Sequence, residues 1–336
     1  MLTARLALKA LRTRFVDHRP FILSHLLTAR CNADCHTCLW KMPANAQTDE
    51  LSTAEVHGLY RDAAAAGFQT LVLWGGEPLV RPDAGDALRT ARQAGLSTTL
   101  ITNGWWLEDR ADEVLPWVTR LMVSVDGIGR RHDEIRRLPG LFARLDRGLA
   151  YARRAHPRVV VIVNVVLSRL NADQLEDIAE YGKRLAHHVS FQAMNLTDYG
   201  YAARTIDLPH VQLDGVEETG VARRVAALRE RGYPVSDSTS YLARLGPDAG
   251  RYRCHFKKVC LRVEPNGDVL DCTQVGVPLA NVRRTPVAEL IVSPVFRQFV
   301  RRAEGCNRCR DVGVVEISHM WDGRPEAIRN AFRTLA

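Results

Sequence analysis

Cys31, Cys35 and Cys38 stand at the spacing CxxxCxxC in Cys31-Asn-Ala-Asp-Cys35-His-Thr-Cys38, directly after an apolar segment. If that loop curls, its three thiols converge on one inorganic centre. A four-iron cluster has four irons, so three cysteines leave one iron open to a small molecule. A closed structural zinc site needs four protein ligands, usually as paired CxxC or CxxH units. A simple ferredoxin-like carrier also needs a fourth cysteine. The local motif supplies neither, and His36, adjacent to Cys35, is expected to point away.

The chain has eight cysteines, and the other five lie between positions 254 and 309. They are Cys254, Cys260, Cys272, Cys306 and Cys309, the last two spaced CxxC. Five thiols compete for four ligand places on a second centre. Cys260 would begin a hairpin strand, where a side chain often packs inward, so that Cys254 rather than Cys260 is expected to be a ligand, with Cys260 as the alternative. Taken alone, four thiolates suit zinc as well as iron and sulfide.

The elements that must carry these thiols alternate. Residues 21–29 read as a buried strand that runs into the cysteine loop. Ser52, with Glu55 three positions on, is a capping box that opens a helix to about Gly67. Strands follow at 69–74, 96–102, 120–125, 158–167 and 188–193, with helices near 83–94, 107–115, 141–155 and 171–186 between them. Asn171 is read as the cap of the last of these. Six strands alternating with helices imply a parallel sheet with right-handed crossovers, and their continuous apolar runs imply cover on both faces. In such a sheet chemistry gathers at the carboxyl ends of the strands. There lie the cysteine loop, Gly75-Gly76-Glu77-Pro78, Thr102-Asn103-Gly104 and Ser124-Val-Asp126-Gly127. After about residue 197 the alternation stops. A helix is expected near 216–231, a hairpin over 261–272 turning at Pro265-Asn-Gly267, and a helix over 286–303.

On Cys31, Cys35 and Cys38, on Gly75-Gly76-Glu77-Pro78 after the second strand, and on the six-strand order, the chain resembles a radical S-adenosylmethionine enzyme over roughly residues 20–195. The resemblance implies an α/β fold, a partial (β/α)6 TIM-like barrel, holding a [4Fe-4S] cluster whose open iron binds S-adenosylmethionine. It implies reductive cleavage to methionine and a 5′-deoxyadenosyl radical, which takes a hydrogen atom from the substrate. A flavodoxin- or ferredoxin-type reductant would supply the electron. Glu77 and the Gly75–Gly76 backbone suit the ammonium of the cofactor; Thr102, Asn103, Ser124, Asp126 and Asn164 occupy strand ends where relatives contact its ribose, carboxylate or adenine. Asn164 stands out as a strong polar residue in a run of valines, with a hydrogen-bonded core amide as its plainer reading. Many relatives carry an aromatic residue just before the third cysteine; here it is Thr37, with Trp40 two places after Cys38.

The second cysteine group resembles the auxiliary-cluster extension of that superfamily, SPASM in its long form and twitch in its short form. Cys254, Gly267 and Cys272 fit its opening pattern, Asn281-Val282 and the following helix its connecting segment, and Cys306 and Cys309 its last pair. With no cysteine after Cys309, one auxiliary [4Fe-4S] cluster is expected. Four cysteines would leave that cluster no iron for substrate, so a role in electron transfer and a net oxidation are expected. Cys260 is a candidate catalytic residue for returning a hydrogen atom or proton to the substrate.

The organisation expected is a basic amphipathic helix over 1–19, the barrel over 20–197, a connecting helical segment over 198–250, and the auxiliary module with a C-terminal tail over 251–336. Net charge is +8, but no aromatic-rich basic module points to nucleic acid. No run of ~18 apolar residues suggests a membrane span, and the first residues lack the apolar core of a signal peptide. Reduced thiols and oxygen-sensitive clusters suit the cytoplasm. Lys9, Arg12 and Arg14 beside Leu6, Leu11 and Phe15 make either a packed helix or a peripheral membrane contact.

With no separate leader-peptide-binding domain apparent before the barrel, a small sugar- or nucleoside-type metabolite is the leading substrate expectation. Gln192, Asn195, Tyr199 and Tyr201 are its candidate lining residues. Radical maturation of a ribosomal peptide is the alternative, hopanoid-like lipid modification a third, and an iron–sulfur electron carrier the non-enzyme reading.

Overall fold

The structure is a computed structural model that describes residues 8–38, 49–194, 208–246, 252–270 and 278–335. Its strands are β1 (Ile22–Leu26), β2 (Thr70–Trp74), β3 (Ser97–Thr102), β4 (Arg120–Ser124), β5 (Val160–Leu167), β6 (His188–Ala193), β7 (Cys260–Val263), β8 (Asp268–Leu270) and β9 (Pro278–Asn281). They form one sheet in the order β6-β5-β4-β3-β2-β1-β7-β8-β9. All pairs from β1 to β6 are parallel. The sheet curls without closing, so the fold is the partial barrel.

Period-two alternation sets what each face does. Leu23, Leu71, Leu100, Leu121, Val163 and Phe191 are fully buried and pack in the outer core with the helices. Each such side chain contributes ~1.5–3 kcal/mol through its burial. The alternate residues, among them Ser24, Val72, Ile101, Met122, Asn164 and Gln192, line the cavity inside.

Ser52 caps the helix Thr53–Ala65: its hydroxyl accepts from the Glu55 N–H at 3.3 Å while its own N–H donates to Glu55 at 2.8 Å. Asn171 behaves otherwise. The helix it was expected to cap spans Leu175–Leu185, and Asn171 instead closes the loop before it, accepting from Ser168 N–H and donating to the Val166 carbonyl, both at 2.9 Å. An amide with both a donor and an acceptor can satisfy a turn as readily as a helix end.

Several features had no expectation behind them. A helix, Arg130–Arg136, stands between β4 and the helix Leu141–Ala155. The hairpin β7–β8 is not a separate appendage either: β7 pairs parallel to β1, Ile22 opposite Cys260 and His25 opposite Val263. The segment read as one helix over 286–303 is two, Val287–Leu290 and Pro294–Ala303, the second capped by Ser293. The C-terminal helices Val312–Trp321 and Pro325–Leu335 follow. The first packs on β6 and on the short helix Phe256–Val259 that precedes β7, so it spans the side the sheet leaves open. Trp321 stacks on Phe21 there at 6.4 Å.

Candidate active site

The loop after β1 carries Cys31, Cys35 and Cys38 to the carboxyl-end rim. Its start is fixed by Glu50, which accepts from the Thr28 hydroxyl at 2.6 Å and the Ala29 N–H at 3.1 Å. Its far side docks on the helix Arg130–Arg136. His36 N–H donates to the Ile135 carbonyl at 3.0 Å, Asp34 pairs with Arg137 at 3.0 Å, and the Arg136 guanidinium reaches Cys35 Sγ at 3.9 Å.

The three thiols act on one another electrostatically. Cys31 is exposed at the loop surface, yet the protein around its sulfur desolvates it enough to push it up to about 11, with Glu77 and Cys38 adding to the rise. Burial pushes Cys35 up to about 12 against the pull of Arg136. Iron would have to displace protons from both, as thiolate ligation requires.

Gly75 and Gly76 pass so close to the β1 loop that a Cβ would meet the Thr28 oxygen at 2.4 Å and the Arg30 oxygen at 2.2 Å. Gly75 also has φ +146°, where side chains are disfavoured. The glycines thus fit the β2 turn against the cysteine loop as well as baring its backbone to the cavity. Gly76 and Glu77 N–H donate to the Thr28 and Arg30 carbonyls, both at 2.8 Å.

Glu77 has another task than the one expected for its side chain. Its carboxylate is fully buried and absent from the cavity lining. It accepts from the Leu79 N–H at 3.0 Å, the Thr102 hydroxyl at 2.8 Å and the Asn103 N–H at 2.7 Å. Burial raises its pKa, and those three donors oppose the rise. Asn103 extends the chain of contacts, donating from Nδ2 to Asn32 in the cysteine loop at 2.8 Å. Glu77 therefore ties the ends of β2 and β3 together and, through Asn103, to the thiols.

Asp126 is likewise turned inward and fully buried. It accepts from the Val166 N–H at 2.9 Å and pairs with Arg136 at 2.7 Å. Burial works against the charge on Arg136, but Asp126 and the thiols hold its pKa up. Arg136 and Asn32 are the site residues that sequence reading missed. The signal available was the pair His132 and Ile135, three apart and both buried, on a stretch otherwise charged.

Ser124 and Asn164 are register partners on β4 and β5. Both line the cavity with the three thiols, Gly75, Gly76, Thr102 and Asn103. Asn164 Oδ1 is buried with no hydrogen-bond partner, which disfavours the satisfied-amide reading because buried acceptors are normally paired. Cys31, Cys35 and Cys38, all lining the cavity, are the residues that would hold an open-iron cluster, and the unpartnered Asn164 Oδ1 fits a polar ligand along this wall. Thr37 lines the cavity as well; Trp40 lies outside the described residues.

The cavity measures about 980 Å³ and extends to the second thiol group, where Cys254, Cys260 and Cys309 line it. Cys254 N–H donates to the Cys306 carbonyl at 2.9 Å. Cys254, Cys306 and Cys309 lie around Tyr252, whose hydroxyl is pushed up by burial and then by those thiols. These three would be joined by Cys272, which lies outside the described residues, in holding a second cluster; among the described residues no three His, Cys, Asp or Glu side chains are already grouped to hold a metal ion. Cys260 opens β7 beside Ile22, at the opposite end of the strands from the rim. Gln192 lines the cavity, while Asn195, Tyr199 and Tyr201 lie outside the described residues.

Residues 26–182 match the family model of the Radical SAM superfamily, and residues 254–310 that of an iron-sulfur cluster-binding domain. An AdoMet-dependent heme synthase of Methanosarcina barkeri is 35% identical over 182 residues, 52% of this chain and 52% of the relative, so the match spans about half of that protein. A PqqA peptide cyclase of Ruegeria pomeroyi is 28% identical over 262 residues, 75% of this chain and 67% of the relative. Among solved structures, Streptococcus suis SuiB bound to precursor peptide SuiA superposes with a TM-score of 0.69 at 14% identity, covering 94% of this chain and 76% of SuiB. The anSMEcpe protein with bound AdoMet superposes at 0.65 and 16% identity, covering 94% and 98%. At such identities the superpositions speak for the fold.

Proposed function

The chain belongs to the radical SAM superfamily, and we propose that it abstracts a hydrogen atom from a peptide held in the cavity between its two thiol groups. Cys31, Cys35 and Cys38 would hold a [4Fe-4S] cluster which, with S-adenosylmethionine bound, would supply the hydrogen-abstracting 5′-deoxyadenosyl radical. The chain's own residues do the rest. Glu77, Asn103 and Arg136 hold the cysteine loop; Gly75 and Gly76 offer the cofactor their backbone, Ser124 a hydroxyl and Asn164 an amide; Cys254, Cys306 and Cys309 with Cys272 would hold the auxiliary centre.

The observation that carries the reading is the cavity wall. Ile22, Val72, Ile101, Met122, Ile162 and Val166 face it, and apolar side chains of this kind suit an apolar residue of a peptide. A sugar or nucleoside would leave many hydroxyls without partners against them, which costs about 1–3 kcal/mol each. The sugar-class expectation therefore receives less support than its peptide alternative. The PqqA peptide cyclases, similar over three quarters of the chain or more, weigh the same way. The heme synthase match favours a second reading, a tetrapyrrole whose apolar face would suit the same wall.

The test is anaerobic turnover of the iron-reconstituted protein with reductant, S-adenosylmethionine and deuterated candidates: short peptides encoded beside the gene, coproporphyrin-type macrocycles, sugars and nucleosides. Deuterium reaching 5′-deoxyadenosine from a peptide is the expected result. Transfer only from a sugar or nucleoside would overturn the reading, and no cleavage of S-adenosylmethionine at all would leave an electron carrier.

A further inference from the structure

Arg120 is the first residue of β4, on the same inward row as Met122 and Ser124. It is 6% exposed and lines the cavity. Its Nε donates to the Thr99 hydroxyl at 3.0 Å. Its Nη1 is buried with no hydrogen-bond partner. Among the described residues no carboxylate pairs with it, and burial alone pulls its pKa down, to about 10. Of the other cavity-lining arginines, Arg136 pairs with Asp126 at 2.7 Å and Arg262 with Glu264 at 2.5 Å, while Arg14 is only half-buried and lies over the Phe15 ring.

A cation buried without a counter-charge is strongly disfavoured. A guanidinium also presents a planar fork that matches a carboxylate. Here Ile22, Met122 and Ile162 share the lining, and low polarity strengthens any charge pairing made among them. We infer that Arg120 seats a carboxylate of the substrate at the end of the chamber remote from the cysteine loop. This rests on the reading that the cavity is the substrate chamber. Arg120 lies four residues from Ser124, about 13 Å along the strand at ~3.3 Å per residue. The substrate would then be an acid whose apolar body separates its carboxylate from the reacting C–H by roughly that length. Arg120 would choose among substrates through a charge that Ser124 and Asn164, at the cofactor end, do not supply.

The experiment is anaerobic calorimetric titration of the two-cluster protein with octanoate and with octanamide, equal chains with and without the charge. Octanoate is expected to bind wild type about tenfold tighter or more, as a charge-assisted pair requires. In Arg120→Gln the two probes should bind alike, with octanamide unchanged; Arg120→Lys should keep part of the preference. Saturating S-adenosylmethionine should leave octanoate affinity unaltered, since the two would sit at opposite ends. A further arm compares a short N-acetylated leucyl peptide as free acid and as amide: acid preference there assigns the carboxylate to a peptide C-terminus, and its restriction to octanoate assigns it to a side chain or small acid.

No acid preference in wild type overturns the inference. So does a preference that survives Arg120→Gln, or mutual exclusion of octanoate and S-adenosylmethionine in wild type. The wild-type arms decide even if Arg120→Gln fails to fold. Octanamide entering without acid preference defeats this inference alone; neither probe entering defeats the chamber reading and the inference with it.

Discussion

At the rim Asp126 faces Arg136 at 2.7 Å and Glu77 takes three donors; along the cavity wall Arg120 and Asn164 each keep a buried polar atom without a partner. Both regions bury polar groups in one barrel and both leave some atoms without a hydrogen-bond partner, Arg136 Nε and Asn32 Nδ2 at the rim among them, yet the rim arginine has a carboxylate against it and Arg120 has none among the described residues. A rim whose charges are paired within the chain holds its loop in place before any cofactor arrives, as a site preorganised by its supporting contacts must. A wall left incomplete is stabilised by what enters it. The loop-holding charges of the rim and the inward-facing polar groups of the wall, Asn164 toward the cofactor end and Arg120 at the far end, are thus built on different rules, and each rule can be broken by substitution.

The largest effect belongs to the thiols. Cys31→Ala, Cys35→Ala or Cys38→Ala should abolish S-adenosylmethionine cleavage. Bound iron should fall from about eight to about four per chain, because three ligands are the minimum for the open-iron cluster. Iron and 5′-deoxyadenosine assays check this directly. Iron that stays near eight after such a change would mean the three thiols are not its ligands.

The two arginines should respond with opposite signs. Arg136→Gln leaves Asp126 buried without its counter-charge and should cost about 3–5 kcal/mol, read as a fall in Tm together with poorer iron loading. Arg120→Met removes a cation that has no counter-charge and should stabilise the unliganded protein by about 1–3 kcal/mol. A loss of stability in both would erase the distinction between the regions. A smaller rim effect is expected at Gly76. Gly76→Ala places a Cβ 2.2 Å from the Arg30 carbonyl oxygen, and forced backbone movement of this sort costs about 1–3 kcal/mol. Its thermal shift should come with weaker S-adenosylmethionine binding, measured by equilibrium dialysis.

The same contrast explains what the sequence made legible. The rim is written in short contiguous motifs at strand ends, CxxxCxxC and Gly-Gly-Glu-Pro, so their place one βα unit apart was enough to join them. Their inner contacts were not legible: whether Glu77 points at a ligand or at Leu79, Thr102 and Asn103 depends on a turn of one side chain. Arg136 was hidden because its helix has few apolar residues, and the periodic signal is correspondingly weak. The wall was less legible still. Arg120 reads as an ordinary charge at a strand start, and only the curl of the sheet turns it inward. The union of β7 with β1 pairs residues 22 and 260, a long-range contact that no local pattern announces.

The interior carries one further buried group whose charge is unsettled by its surroundings, and its titration offers the finest test of the comparison. Asp237 lines the cavity at 1% exposure. It accepts from the Ser190 hydroxyl at 2.8 Å and the Phe191 N–H at 2.6 Å. Burial raises its pKa from 3.8 to about 7, those two donors pull it down, Glu316 pushes it up and Arg229 pulls it down. Glu316 shifts in the same direction by burial. The folded chain then binds more protons than the unfolded one between pH about 4 and about 7, so stability should fall as pH rises through that window and level off above it. Asp237→Asn removes one titrating carboxyl and leaves the Phe191 N–H facing an amide that still has one oxygen. It should lower stability at acid pH while flattening the decline between pH 4 and 7, measured as Tm across that range. An unchanged slope would mean that Asp237 ionises in the folded chain as readily as in water.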